Sequence, residues 1–176
     1  MLSLRTKDTT TEGAARRLFA LAGSPEAMLK LSPGEIEKAI YPVGFYRVKA
    51  RNVLDISQTL LEKFGGKVPD DIDTLLTLKG VGRKTANLVV TVGFGKPGIC
   101  VDTHVHRISN IWGLVKTASP DETEQVLRKV LPKRYWIAYN DLLVCYGQNL
   151  CVPVSPWCSR CRIRGLCPRL NVKKSR

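Results

Sequence analysis

Three clusters of residues carry most of this chain's capacity for chemistry. The first is Leu75 to Asn87, LLTLKGVGRKTAN. Gly80 and Gly82 flank Val81 in a turn almost free of side chains. It joins an apolar run (Leu75, Leu76, Leu78) to a second helical pattern (Ala86, Leu88, Val89, Val90). Such a turn lets the main chain approach another surface closely. The free N–H groups that open the second helix can hold an anion. Lys84 falls in the first turn of that helix, where partial positive charge disfavours a cation. A lysine amine, once neutral, can attack a sugar carbon and form a Schiff base. Burial or a cationic neighbour such as Arg83 makes neutrality easier. The plain alternative is a glycine corner followed by a solvated lysine.

The second cluster is Asp102 in VDTHVHR. A carboxylate near the amine can accept a proton or stabilise a cationic sugar in the transition state. Asp102 can equally be the N-cap of a helix that includes His104, Arg107, Ile108 and Ile111. Spacing alone does not bring Lys84 and Asp102 together. The third cluster is Cys151-x6-Cys158-x2-Cys161-x5-Cys167. Four thiolates so close in sequence can ligate one tetrahedral metal or one cubane cluster. Only Cys158 and Cys161 form a close pair, whereas structural zinc commonly uses two such pairs. The pattern therefore favours an iron–sulfur cluster over zinc. Cys100 and Cys145 read as small core residues.

Charge narrows the partner. The chain has 176 residues, with 28 Lys and Arg against 15 Asp and Glu, a net charge of +13. Such a balance points to a polyanion, nucleic acid before membrane. No apolar run is long enough to span a bilayer, and the start, MLSLRTKDTTT, lacks the apolar centre of a signal peptide. A cytoplasmic chain with reduced thiols is expected, which again favours ligation over disulfides.

The elements that must position these residues read as helices throughout. Ala14, Ala15, Leu18, Phe19 and Ala22 have helical spacing. Ser24-Pro25-Glu26, Ser32-Pro33-Gly34-Glu35 and Ser119-Pro120-Asp121-Glu122 each combine an N-cap serine, an N1 proline and an early acid. Val53, Ile56, Leu60, Leu61 and Phe64 form a long stripe ended by Gly65-Gly66. A short helix over Asp70 to Leu76 feeds the glycine turn, and the helix after Lys84 is predicted to run to about Thr91. A last long helix is predicted from Arg134 to Leu150. No alternating strand pattern occurs, so the expected class is all-α. A basic tail, Lys173-Lys174-Ser175-Arg176, closes the chain.

GVGRKTAN, then VDTHVHR, then the cysteine loop, in that order and spacing, closely resembles the endonuclease III family of base-excision DNA glycosylases. The resemblance covers nearly the whole chain. It implies two helical lobes, 1–96 with a helix–hairpin–helix at about 75–91 and 97–176 with the cluster loop at 151–167, and a DNA cleft between them. It implies a monomeric bifunctional glycosylase/AP lyase that removes oxidised pyrimidines from double-stranded DNA and cuts at abasic sites by β-elimination. Lys84 would be the nucleophile and Asp102 the catalytic carboxylate. Cys151, Cys158, Cys161 and Cys167 would hold a 4Fe–4S cluster. Phe45 matches the side chain that wedges into the duplex, and Arg5 a position that fills the gap left by the flipped base. Asp8 and His104 match pocket-side positions, though His104 also reads as a helix-capping histidine. Lys79, Gly80, Val81, Gly82 and Arg83 would hold the DNA backbone, with the basic tail.

A bacterial or archaeal, nucleoid-associated protein is expected, without a membrane partner. Three departures stand out. Lys79 replaces the proline more often found before the glycine turn. The loop VPVSPW lacks the basic residues of some relatives, so Arg160, Arg162 and Arg164 are expected to supply that charge. Family members carry further residues before SLRTKD that complete the first lobe. Their lack here is expected to expose apolar core. Two rival functions remain: a monofunctional mismatch glycosylase, which generally lacks lysine at the Lys84 position, and a non-catalytic iron–sulfur DNA-binding protein.

Overall fold

A computed structural model describes residues 1–176. It is built of helices and turns, with no strand. Contacts divide it into two compact units, Met1–Gly82 and Arg83–Arg176. The division falls inside the glycine turn region, upstream of the boundary after residue 96 expected from sequence. No helix is long and apolar enough to cross a membrane.

The first unit contains α1 (Asp8–Leu21), α2 (Pro25–Met28), α3 (Pro33–Ile40), α4 (Tyr46–Phe64) and α5 (Ile72–Leu76). Local chemistry starts and stops these helices. Ser24 accepts from the Ala27 N–H. Ser32 and Glu35 form a reciprocal capping box. Asp71 accepts from the Thr74 N–H, and Gly65 ends α4 in the left-handed region. The core is one cluster that includes Ala14, Leu18, Ile36, Ile40, Val43, Ala50 and Val53. α5 delivers the chain to Gly80, whose φ is +78°. A Cβ there would lie 2.4 Å from Asn52 Nδ2, so both the dihedral and the space require glycine. A Cβ at Gly82 would meet nothing within 4 Å.

The second unit contains α6 (Arg83–Leu88), a π-helical turn over Val89–Gly93, α7 (Thr103–Ile111), α8 (Pro120–Val130) and α9 (Trp136–Asn149). The α6 helix is therefore shorter than the predicted run to Thr91. Its continuation widens where the buried Thr91 hydroxyl donates to the carbonyls of Asn87 and Leu88. Ile99, Val105, Ile108, Leu127, Trp136, Tyr139 and Leu143 belong to one core cluster. Gly98 lets the extended segment 99–102 pass close to α6, because a Cβ there would fall 2.9 Å from both Asn87 Oδ1 and Thr91 Cγ2.

Beneath α6 lies a buried carboxylate. The Glu124 side chain is 3 % exposed. It accepts from Arg83 through Nε (2.8 Å) and Nη2 (2.9 Å), and from Arg128 Nε (2.8 Å). Burial pushes its carboxyl up, but hydrogen bonds from Arg83, Arg128 and Asn87 outweigh this and hold it below the usual carboxylate range. Arg128 Nη2 also donates to Asn87 Oδ1 (3.0 Å), and its guanidinium lies 5.1 Å from the Trp136 ring centre.

Two predictions follow from these contacts. Gly80→Ala should cost at least about 1–3 kcal/mol for the left-handed backbone alone, whereas Gly82→Ala should leave stability nearly unchanged. Urea unfolding of both variants checks the contrast, and equal midpoints would contradict it. Glu124 has a depressed folded pKa. Its contribution is complete above the unfolded value of about 4.3 and declines as pH falls through the folded value. Melting temperature should drop with acid more steeply in the wild type than in Glu124→Gln. Parallel curves would rule Glu124 out as a source of acid lability.

Candidate active site

The second unit brings Lys84 and the Asp102 segment together around Cys100. Lys84 is exposed at the start of α6, and its carbonyl accepts from the Cys100 thiol at 3.7 Å. Cys100 is buried, as its sequence context indicated. Burial raises its pKa to about 11, and Lys84, Asp102, Asp141 and Glu124 all act on it electrostatically. The main chain at Lys84 thus lies against Cys100, two residues before Asp102, a contact that spacing could not establish. Asn140 Nδ2 donates to the Cys100 carbonyl at 2.9 Å and Asn87 Oδ1 accepts from the Ile99 N–H at 3.0 Å. These bonds pin the extended segment on both sides.

Asp102 is the N-cap of α7. Its Oδ1 accepts from the N–H groups of His104 and Val105, each at 2.9 Å. Capping and catalysis are therefore compatible: one oxygen is committed to the helix and Oδ2 is left for a reacting group. His104, one turn into α7, is half-buried, and its Nδ1 is buried without a partner. It caps nothing; its ring packs on Gly147 of α9.

Arg83 is a correction. Expected at the DNA backbone, its guanidinium turns inward onto Glu124. The bidentate fork fits a carboxylate, and a buried carboxylate demands it. Glu124 was missed from sequence. The available signal was an acid one turn before Leu127, on the apolar stripe of α8.

In the first unit, Phe45 is 59 % exposed, so it is not core. It takes φ +57° at the start of α4, and Arg5 takes φ +52°. The Arg5 guanidinium lies 5.6 Å from the Phe45 ring centre. Both left-handed residues are held by neighbours. The buried Lys49 ammonium donates to the carbonyls of Leu2 (2.8 Å) and Leu4 (2.6 Å), and Thr6 Oγ1 accepts from the Gly44 N–H (3.1 Å). Burial lowers the Lys49 pKa. Asp8 is exposed and opens α1. Lys79 pairs with Asp55 at 2.6 Å on the surface, a contact that water and salt weaken. Val81 donates its N–H to the Leu78 carbonyl (3.1 Å), closing a turn with Lys79 and Gly80 at its centre.

Cys151, Cys158, Cys161 and Cys167 line one cavity with Ile111, Trp112, Tyr146 and Trp157. Two donors address its sulfurs: Tyr146 Oη lies 2.8 Å from Cys161 Sγ, and Arg107 Nη1 donates to Cys151 Sγ at 3.7 Å. The four thiolates comprise one close pair, Cys158 and Cys161, with one cysteine on each side. The donor set fits an iron–sulfur cluster.

The basic tail is partly spent on this loop. Arg176 donates its N–H to the Pro156 carbonyl (2.8 Å) and Nε to the Ser155 carbonyl (3.0 Å), and its guanidinium stacks 4.2 Å from the Trp157 ring centre. Arg160 lies over the same ring, while Arg162 and Arg164 are exposed with Lys173 and Lys174. Cys145 is exposed on α9 rather than in the core.

Residues 1–133 match the HhH-GPD superfamily base excision DNA repair protein model. Endonuclease III of Thermotoga maritima is 47% identical over 167 residues, covering 95% of this chain and 78% of that protein. Endonuclease III homolog 1, chloroplastic, of Arabidopsis thaliana is 43% identical over 177 residues, and the match spans 96% of this chain but 47% of the plant protein. Among solved structures, a trapped Endonuclease III–DNA covalent intermediate superposes with a TM-score of 0.90 at 38% identity, covering 96% of this chain and 79% of that one. A thermostable thymine-DNA glycosylase shares the fold, with a TM-score of 0.87 at 24% identity. The helical architecture, the turn geometry and these matches agree: the chain belongs to the endonuclease III family of base excision DNA repair proteins.

Proposed function

We propose that Lys84 is the nucleophile and Asp102 the catalytic carboxylate of this DNA glycosylase/AP lyase, acting on oxidised pyrimidines in duplex DNA. The observation that carries the assignment is an exposed lysine whose carbonyl meets the buried Cys100 thiol, two residues before the carboxylate of Asp102 that caps α7. Flipping takes the damaged nucleotide out of the stack. The Lys84 Nζ lone pair forms a bond to C1′ as the bond from C1′ to the base breaks. The bonding pair leaves with the base, which takes up a proton. The Asp102 carboxylate stabilises positive charge on the sugar and accepts a proton from the attacking amine. The nitrogen lone pair then forms the C1′=N bond as the C1′–O4′ bond breaks, O4′ taking up a proton, and the ring-opened Schiff base acidifies C2′–H. Loss of that proton expels the 3′ phosphate oxygen with its electron pair, and water later frees Lys84.

Backbone N–H groups of the Gly80–Gly82 turn would hold a phosphate without reading sequence. Open space at Gly82 supports a close approach. Lys79 can leave Asp55 to join them. Phe45 and Arg5 would enter the duplex as wedge and plug. Support comes from an exposed aromatic held in a costly left-handed conformation, since such strain collects at functional positions. His104 is assigned to the pocket side, and the protein acts as a monomer.

Cys151, Cys158, Cys161 and Cys167 would hold a 4Fe–4S cluster. When bound, the cluster supplies a rigid cross-link between the end of α9 and the loop that follows it. Arg107 and Tyr146 orient the sulfurs, and Arg160, Arg162 and Arg164 keep the surface positive.

Borohydride reduction with abasic-site DNA tests the catalytic assignment. Wild type should yield a covalent adduct, Lys84→Gln none, and Asp102→Asn a rate lowered by about 10²-fold or more. No adduct from folded wild-type protein would leave the non-catalytic reading in its place, and an undiminished adduct from Lys84→Gln would move the nucleophile elsewhere. Purified protein should be brown, with about four irons per chain. A colourless zinc protein would overturn the cluster.

A further inference from the structure

Lys84 opens α6, and Asp102 ends the segment 99–102. Their separation depends on whatever ties these two pieces of chain. α6 has six residues, begins at a glycine turn and buries only Ala86 and Asn87. A helix that short has little stability of its own. Its rotation about its axis, and hence the direction of Lys84, must be set from outside.

Two buried polar ties do this. Asn87 is fully buried. Its Nδ2 donates to the Arg83 carbonyl at 3.1 Å, and its Oδ1 accepts from Ile99 N–H and Arg128 Nη2, both at 3.0 Å. One side chain thus links α6 to the segment that carries Asp102. The second tie is Glu124. It grips the side chain of Arg83, the residue immediately before Lys84, through Nε and Nη2 of the guanidinium. A bidentate fork admits one orientation. Glu124 also fixes Arg128 (2.8 Å), which in turn fixes Asn87. Both ties therefore converge on one carboxylate of α8.

We propose that Glu124 is a positioning residue for Schiff-base formation: through Arg83, and through Arg128 and Asn87, it sets the register of Lys84 against Asp102. The proposal rests on the assignment of Lys84 and Asp102 above. A merely structural carboxylate would change stability and leave the chemistry of the folded protein intact. A positioning carboxylate governs the rate of bond formation after DNA is bound, because a misplacement near 1 Å can cost about 10²-fold.

Single-turnover borohydride trapping on an abasic-site duplex, beside affinity for a duplex with a tetrahydrofuran site, separates the two. Wild type, Lys84→Gln, Glu124→Gln and Arg83→Lys are compared well below their melting temperatures. Arg83→Lys keeps the cation but loses the fork, and it carries the test alone if Glu124→Gln does not fold. The expected result is a trapping rate lowered about 10- to 100-fold with affinity within about twofold of wild type. Wild-type trapping rates in folded variants would overturn the proposal, as would affinity falling in step with rate. A wild type that fails to trap would instead defeat the assignment of Lys84 itself.

Discussion

A carboxylate taken out of water is tolerable only where cations and donors follow it. Glu124 imposes that constraint on the second unit. It draws Arg83 inward from the start of α6 and Arg128 from its own helix. Arg128 meets Asn87, and Asn87 meets the main chain at Ile99. The extended segment then reaches Asp102 in a fixed place, where two N–H groups of α7 complete the carboxylate's anchoring. The Arg83 guanidinium serves the scaffold, sharing the one Glu124 carboxylate with Arg128, while Lys84 beside it is exposed.

The first unit meets a different demand. Arg5 and Phe45 both adopt left-handed backbone, which neither a charged nor an aromatic side chain prefers. The surroundings over-determine it: Lys49 collects two carbonyls of the preceding turn, and Thr6 accepts from Gly44. An ammonium buried for this purpose is an expensive anchor, used where a main-chain direction must not drift. The outcome is an exposed ring with a guanidinium beside it, projected from a rigid base. That arrangement suits a wedge and has no use in a core.

Some of this was legible in the sequence because its physics is local. Ser24, Ser32 and Ser119 mark helix starts through bonds to residues three positions away. Gly65 marks an end through its own dihedral angle. The four cysteines clustered in sequence also line one cavity. Other features depend on contacts that sequence distance hides. Glu124 lies 41 positions from Arg83, so Arg83 read as a free cation. Cys145 looked apolar within an apolar run, but its face of α9 is exposed. Arg176 read as part of a basic tail on the DNA backbone, and it stacks on Trp157.

The account turns on which amine reaches the sugar. Other lysines are exposed, among them Lys79, Lys173 and Lys174, so the identity of the bonded residue is decisive. The direct measurement is mass spectrometry of the borohydride-reduced protein–DNA adduct after proteolysis and nuclease treatment. The modified residue should be Lys84, with the mass of a reduced deoxyribose remnant on its Nζ. The same remnant on another lysine, or on the chain's α-amine, would contradict the account.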